Sequence, residues 1–118
     1  MMMMALAAVG TVLGDSQKYQ LSSGIKRYTL MDLGFVKTGN GNFQLERPLD
    51  PNSPYTNANK LRVTVKADLS AFQMAVTTPN GLKAIDIFKT DKTMDNVEQY
   101  NYIIQNLIER EVLAPVTD

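Results

Sequence analysis

Residues 60–89 read KLRVTVKADLSAFQMAVTTPNGLKAIDIFK, and this stretch predicts the sheet that the rest of the chain covers. In three segments apolar residues alternate with polar ones, which is the period of a strand with one buried face. The segments are separated by residues 67–70 and by the pair Asn80-Gly81, and both separators have the composition of tight turns. We therefore predict a three-stranded antiparallel meander, with the other elements packed on its apolar face.

The lengths of the two connections determine the register of this meander. If the first connection closes a hairpin, three apolar pairs meet on one face: Val65 with Phe72, Val63 with Met74, and Leu61 with Val76. The second connection must also be even, because an odd one would turn Ile85 and Ile87 to the opposite face. Two or four residues around Asn80 satisfy this rule. Pro79 has no N–H to donate, which favours four.

A second strong pattern spans residues 96–113. Its apolar positions recur at the spacing of an amphipathic helix, and they are Val97, Tyr100, Ile104, Leu107 and Ile108. Asp95 is placed to cap the first turn, and Pro115 is expected to end the helix because proline cannot continue one. A helix of this kind would cover the apolar face of the meander.

The N-terminal half carries weaker patterns. Residues 1–10 are predicted to be either disordered or a short strand. A short helix is expected over residues 25–33, with the preceding serines as caps and Gly34 as its stop. Residues 39–42, Gly-Asn-Gly-Asn, predict a hairpin turn.

Together these patterns predict an α+β fold in a single domain of residues 1–118. It would contain an antiparallel sheet of about five strands, with the C-terminal amphipathic helix on one face and a short helix near the N-terminus.

The composition excludes several kinds of chemistry. The 118 residues include no histidine and no cysteine, so standard zinc sites and nucleophile–histidine pairs are excluded. Twelve basic side chains balance twelve acidic ones, so no global field attracts nucleic acid. The apolar N-terminal segment lacks the length of a membrane span and the leading positive charge of a secretory signal. We expect a cytoplasmic protein with no membrane association, no metal and no cofactor.

The candidate site lies on the meander face that is turned away from the core. Ala75 and Ala84 are small, which would let a protein partner lie close to the sheet, with Phe88 as an apolar anchor and Arg62 as a polar contact. A solvated sheet face, or one partly covered by the N-terminal segments, explains the same residues more simply. Recognition of nucleic acid would need aromatic residues where the two alanines stand. No catalytic set is predicted.

Two segments, GNGNFQLERPLDPNSPY at residues 39–55 and NKLRVTVKADLSAFQMAVTTPNGLKAIDIFK at residues 59–89, resemble a known family. It is a small uncharacterised family of lactic-acid bacteria, classed as a domain of unknown function and labelled with amino-acid metabolism. The resemblance covers residues 11–113 and implies a compact α+β domain and a genomic setting near cysteine desulfurase and tRNA-thiolation enzymes. It assigns no role to any residue. Without cysteine, the chain cannot carry a persulfide itself.

Three function classes remain open. The leading hypothesis is a non-catalytic accessory or binding protein of bacterial amino-acid or sulfur metabolism. The first alternative is an enzyme or sensor with a small-molecule pocket between sheet and helix. The second alternative is a homo-oligomeric structural protein joined through an exposed sheet edge. The residue inventory favours binding over catalysis. A pocket with convergent polar groups would favour the small-molecule alternative, and a flat apolar patch would favour a protein partner.

Overall fold

The computed structural model describes residues 6–50 and 58–116, which form two antiparallel sheets and two α-helices. The elements in chain order are β1 (Val9–Gly10), β2 (Tyr19–Leu21), α1 (Arg27–Asp32), β3 (Val36–Lys37), β4 (Phe43–Pro48), β5 (Lys60–Val65), β6 (Phe72–Thr77), α2 (Met94–Glu109) and β7 (Leu113–Pro115). A 3-10 turn, Asp91–Thr93, leads into α2. The part of residues 1–10 that precedes Leu6 lies outside the described residues. The mixed α+β class is confirmed.

The larger sheet has the strand order β3-β4-β5-β6 and contains the predicted hairpin of β5 and β6. Its register is the predicted one, with the Cα partners Val65–Phe72, Val63–Met74 and Leu61–Val76. Strand β4 joins in the same phase, since Phe43 and Leu45 face Val65 and Val63. The face made by these side chains is the centre of the core.

The third predicted strand of the meander is limited to one bridge, which pairs Ala84 with Thr77. The Ile85 amide still donates to the Val76 carbonyl at 2.9 Å. Beyond it, Asp86 Oδ1 accepts the Phe88 amide at 2.8 Å. Such a side-chain turn offers the backbone an alternative to the ladder, so the chain leaves the sheet.

The connection before that bridge is even, as predicted. The Thr78 amide donates to the Lys83 carbonyl at 2.9 Å, with four residues between them. Because the parity is preserved, Ile87 still reaches the core and is fully buried.

The prediction of one sheet with about five strands needs a correction, because the described strands divide into two sheets. The second sheet has the order β1-β2-β7 and joins the N-terminal segment to the C-terminal end. Reciprocal backbone bonds between Ala7 and Phe72, 2.9 and 3.0 Å long, tie it to the edge of β6. Strands of two or three residues carry too little alternation to be recognised in a sequence.

Helix α2 ends four residues earlier than predicted, at Glu109 rather than at residue 113. The Val112 amide donates to the Leu107 carbonyl, and the Glu111 amide to the Ile108 carbonyl. Glu111 has a φ of 60°. These are the features of a Schellman motif, but without the glycine that usually announces one.

Proline also has a different place from the predicted one. Pro115 does not end the helix. It lies in the edge strand β7 opposite Tyr19, a position where its missing N–H costs no sheet bond. At the other end of α2, Asp95 lies in the first turn, and the N-cap residue Thr93 makes no side-chain capping bond.

The short helix α1 spans six residues within the predicted range of 25–33. Gly34 ends it with a φ of 101°, and its amide donates to the Met31 carbonyl. The N-cap position belongs to Lys26, not to a serine. Leu30 is the residue through which α1 enters the core.

A single cluster of buried apolar side chains joins the two sheets and both helices. Its largest fully buried members are Tyr100, Phe35, Phe72, Leu30, Leu49, Leu61, Met74, Ile87, Leu107 and Leu113. Each large side chain in this cluster contributes about 1.5–3 kcal/mol when fully buried. No helix within residues 6–50 and 58–116 is long and apolar enough to cross a membrane.

Val63→Asp should prevent folding. Val63 is 0% exposed and faces Met74 in the centre of the larger sheet, so an aspartate there would be a buried charge without a partner. We expect a loss of more than about 4 kcal/mol. The matched control is Val36→Asp on the edge strand β3, because Val36 is 61% exposed. Urea unfolding followed by circular dichroism compares the two variants. Equal stability of the two would contradict the assigned core face.

Candidate functional site

A groove of about 470 Å³ lies between the end of β4 and the outer side of α2. We call it the α2 groove. The sheet contributes Arg47 and Pro48. The helix contributes Gln99, Tyr102, Ile103, Gln105, Asn106 and Glu109. Its volume falls within the roughly 300–1,000 Å³ that is usual for small-molecule sites.

The α2 groove exists because α2 carries two neighbouring stripes of side chains that face different parts of the molecule. Tyr100, Ile104 and Leu107 are buried and hold the helix on the sheet. Residues 99, 102–103 and 106 follow the same helical spacing, displaced by about one residue, and so form a parallel stripe. This second stripe faces the end of β4 rather than the core. Its polar side chains therefore remain available for a ligand.

Arg47 is held in place by helix α1. It follows Phe43 and Leu45 on the core side of β4 and pairs with the buried Leu61, but its own side chain is exposed. Its Nη2 donates to the Leu33 carbonyl at 2.9 Å, at the C-terminus of α1, where a cation is favourable. A guanidinium has five N–H donors, so this one bond leaves others for the groove.

The helix side of the groove carries amides and a carboxylate. Gln105 Nε2 donates to Glu109 Oε2 at 3.4 Å, which is a long and weak bond. Neither Arg47 nor Glu109 has an ion-pair partner among the residues that the structure describes. Tyr102 is 75% exposed at the rim. The groove thus presents both signs of charge together with neutral hydrogen-bonding groups.

A second, mostly apolar groove of about 350 Å³ lies beside the first turn of α2. It is lined by Ile87, Phe88, Met94 and Val97, with Lys89, Asp91 and Glu98 among its polar neighbours. The Phe88 ring packs edge-on against Tyr100, with 5.6 Å between ring centroids. Phe88 is therefore half-buried against the helix.

The structure brings three of the four predicted site residues to one side of the sheet. Arg62 and Ala75 are direct cross-strand partners, and Ala84 bridges to Thr77 on the same face. Phe88 is separated from them, because the chain leaves the sheet before it and the ring turns towards α2. Binding of a partner by these residues stays a prediction.

Arg62 already has partners within the chain. Its Nη2 lies 2.9 Å from Glu46 Oε2, and its Nε donates to the same oxygen at 2.9 Å. A Cβ added at Gly81 would lie only 2.7 Å from Nη2. The turn therefore approaches the guanidinium closely, and the φ of 77° at Gly81 is a conformation that glycine adopts readily.

A partly buried hydrogen bond ties the N-terminal segment to α2. The Tyr100 hydroxyl donates to Asp15 Oδ2 at 2.7 Å. Burial raises the pKa of Tyr100 far above its ordinary value, and the bond to Asp15 raises it further because the bond favours the protonated phenol. Burial and the Asp15 charge also raise the pKa of Tyr19. This cluster keeps two phenols neutral and joins segments that are 85 residues apart.

The contact between Asp86 and Gly14 reinforces this junction. Gly14 has a φ of 89°, and a Cβ at this position would overlap the Asp86 carboxylate. A side chain at residue 14 would therefore be excluded both by its backbone conformation and by Asp86. Among the described residues no group of three acidic side chains could hold a metal ion.

The α2 groove was anticipated only as a class of site, a pocket between sheet and helix, and none of its lining residues was named. The signal that could have found it is the run of Gln99, Tyr102, Asn106 and Glu109 at intervals of three and four along one helix. That run resembles an ordinary solvated face. Only the position of Arg47 opposite the helix distinguishes it, and this position depends on the tertiary fold.

The fold and the groove define a small α+β domain in which one helix both closes the core and walls a polar cleft. Residues 4–114 match the model of the DUF1831 family, described as "Putative amino acid metabolism", and the chain belongs to this family. It is also similar to the crystal structure of a DUF1831 family protein from Lactobacillus plantarum, with 49% identity and a TM-score of 0.86. That match covers 96% of this chain and 99% of the other. Comparison with curated proteins found no match.

Tyr100→Phe should lower stability by about 1.5–3 kcal/mol, the usual cost of losing a hydrogen bond to a charged group. The reason is that Asp15 loses the hydroxyl that donates to it. Tyr102→Phe is the matched control on the same helix, because Tyr102 is 75% exposed. Urea unfolding at neutral pH measures both. A loss as small in Tyr100→Phe as in Tyr102→Phe would show that the bond is not made in solution.

The same pair of variants should respond differently to alkaline pH. The pKa of Tyr100 is raised in the folded state, so above about pH 10 the unfolded chain loses a phenolic proton that the folded chain keeps. Stability then falls with rising pH by about 1.4 kcal/mol per unit. Tyr100→Phe lacks this contribution, so its stability deficit relative to the parent should shrink above pH 10. A constant deficit from pH 7 to pH 11 would contradict the buried neutral phenol.

Proposed function

We propose that this protein is a non-catalytic binding protein of bacterial amino-acid metabolism, which holds a small polar metabolite in the α2 groove. The observation that carries the proposal is the meeting of Arg47 with the polar stripe of α2 across a cleft of about 470 Å³. The description of the DUF1831 family supplies the metabolic setting. The finer link to sulfur pathways stays a prediction from the resemblance.

The character of the groups in the groove supports binding. The guanidinium of Arg47 presents N–H donors in a planar fork, which suits it to hold an anion. Gln99, Gln105 and Asn106 carry neutral amides that both donate and accept. Ile103 and Tyr102 add apolar and aromatic surface. Most of the lining side chains are polar or charged, so the groove suits a polar metabolite better than an apolar ligand.

The position of the groove supports the proposal as well. Its helix wall is fixed from behind, because Tyr100, Ile104 and Leu107 are buried. The other wall is the end of a six-residue strand in the larger sheet. A site between two such elements loses little conformational entropy when a ligand binds.

Contact with a protein partner through Arg62, Ala75, Ala84 and Phe88 remains a second candidate. Phe88 lines the apolar groove beside α2, where Met94 is 59% exposed. An aromatic ring beside an exposed methionine is a suitable anchor for a partner. This surface would serve an accessory role without involving the α2 groove.

Binding in the α2 groove can be tested with a mixture of small polar metabolites, namely amino acids, organic acids and nucleobases, by ligand-detected saturation-transfer NMR. We expect at least one to bind, and the protein amide shifts that it perturbs, followed separately in protein-detected NMR spectra, to cluster on β4 and α2. Asn106→Ala should weaken binding by about 2- to 12-fold, the equivalent of one hydrogen bond.

The matched control is Asn101→Ala. Asn101 is exposed on the same helix but does not line the groove, so this variant should bind as the parent does. Absence of binding by every metabolite in the mixture, or perturbations confined to the sheet face of Arg62, would refute the proposal.

A further inference from the structure

We infer that the ligand of the α2 groove is a free amino acid, whose carboxylate is held by Arg47 and whose ammonium group is held by Glu109. This inference rests on the proposed function and specifies the chemical class of its ligand. It follows from the two charges of the groove, from their lack of ion-pair partners among the described residues, and from the surface between them.

The α2 groove contains a pair of opposite charges. Arg47 stands on the sheet wall and Glu109 on the helix wall. They form no ion pair with each other, nor with any other residue of the described ranges 6–50 and 58–116. Elsewhere in the chain such charges do pair, as Arg62 does with Glu46 at 2.9 Å. The two charges of the groove are thus left for something other than each other.

Two unlike charges in one groove make it selective for the charges of its ligand. A purely anionic metabolite would gain from Arg47 but would be repelled by Glu109, and a purely cationic one would meet the reverse. A ligand with one anionic and one cationic group satisfies both. Discrimination of this kind comes as much from repulsion of the wrong ligand as from attraction of the right one.

The geometry of Arg47 suits it to bind an anion. The Leu33 carbonyl accepts a 2.9 Å bond from Arg47 Nη2 and so restrains the guanidinium. A restrained planar fork is suited to bind a carboxylate through two parallel hydrogen bonds. The amide of Asn106 on the opposite wall can donate to the same carboxylate.

The groove has space beyond that needed by the two charged groups of an amino acid. The helix wall extends from Gln99 to Glu109, which at 1.5 Å per residue is about 15 Å. The charged groups of an α-amino acid occupy only part of this length. The rest offers Ile103 and the exposed ring of Tyr102 to the amino-acid side chain. A side chain with apolar surface would gain most from them.

The test begins with the common L-amino acids, titrated one at a time into the full-length protein by isothermal calorimetry. The tightest binder is then compared with its amide, which lacks the carboxylate, and with its deaminated acid, which lacks the ammonium group. For L-leucine these are L-leucinamide and isocaproate. We expect each analogue to bind at least about tenfold more weakly than the amino acid, because each loses a charged hydrogen bond.

Two variants assign the charges to their residues. Arg47→Gln should weaken binding of the amino acid and leave binding of its amide unchanged. Glu109→Gln should weaken binding of the amino acid and leave binding of its deaminated acid unchanged. Arg110→Gln and Glu98→Gln are matched controls, exposed on or beside α2 and outside the groove, and should change nothing. Since Glu109 is exposed, its variant keeps the test decisive even if Arg47→Gln unfolds.

The two levels of the proposal fail separately. If the deaminated acid or the amide binds as tightly as the amino acid, or if a metabolite without an ammonium group is the tightest ligand, the amino-acid inference is overturned while groove binding stands. If no amino acid and no metabolite of the mixture binds, the proposed function fails as well.

Discussion

The apolar face of β4, β5 and β6 is the constraint on which the rest of the molecule depends. Three paired strands present Phe43, Leu45 and their partners on one side, and water must be removed from that side for the sheet to be stable. Helix α2 joins this core through Tyr100 and Leu107, which are almost completely buried. The position of α2 is therefore set by the sheet, and the α2 groove is a consequence of this position. The cleft opens where the sheet ends and the helix continues.

The parts of the fold that could be predicted are those in which local pattern and burial agree. The register of β5 and β6 was correct because strict alternation in both strands leaves only one phase that buries Val63 and Met74 together. The amphipathic stripe of α2 was equally informative, since Tyr100 proved buried and its neighbour Tyr102 exposed. In these segments each residue supports the same answer.

The parts that could not be predicted depend on contacts between distant segments or on rare backbone conformations. The second sheet pairs Tyr19 with Pro115 across most of the chain, and such short strands carry no periodic signal of their own. Helix α2 stops because Glu111 adopts a positive φ, which residue type alone does not announce. The candidate site could not be predicted for the same reason. Arg47 belongs by strand parity to the core side, and only the fold shows that its side chain is exposed.

Arg47 connects the architecture to the proposed chemistry. One of its donors binds the Leu33 carbonyl, and Gly34 beyond it turns the chain with a φ of 101°, so the end of α1 and the guanidinium are positioned together. The hydrogen bond from Arg47 to the Leu33 carbonyl is formed without any ligand. In the proposed complex a ligand carboxylate would meet a guanidinium that one hydrogen bond already restrains, so less binding energy would be spent on ordering it. The short helix α1 thereby acquires a role in the groove although none of its residues lines it. Its C-terminal carbonyl orients the one cation on the sheet wall, and it does so from the side opposite to α2.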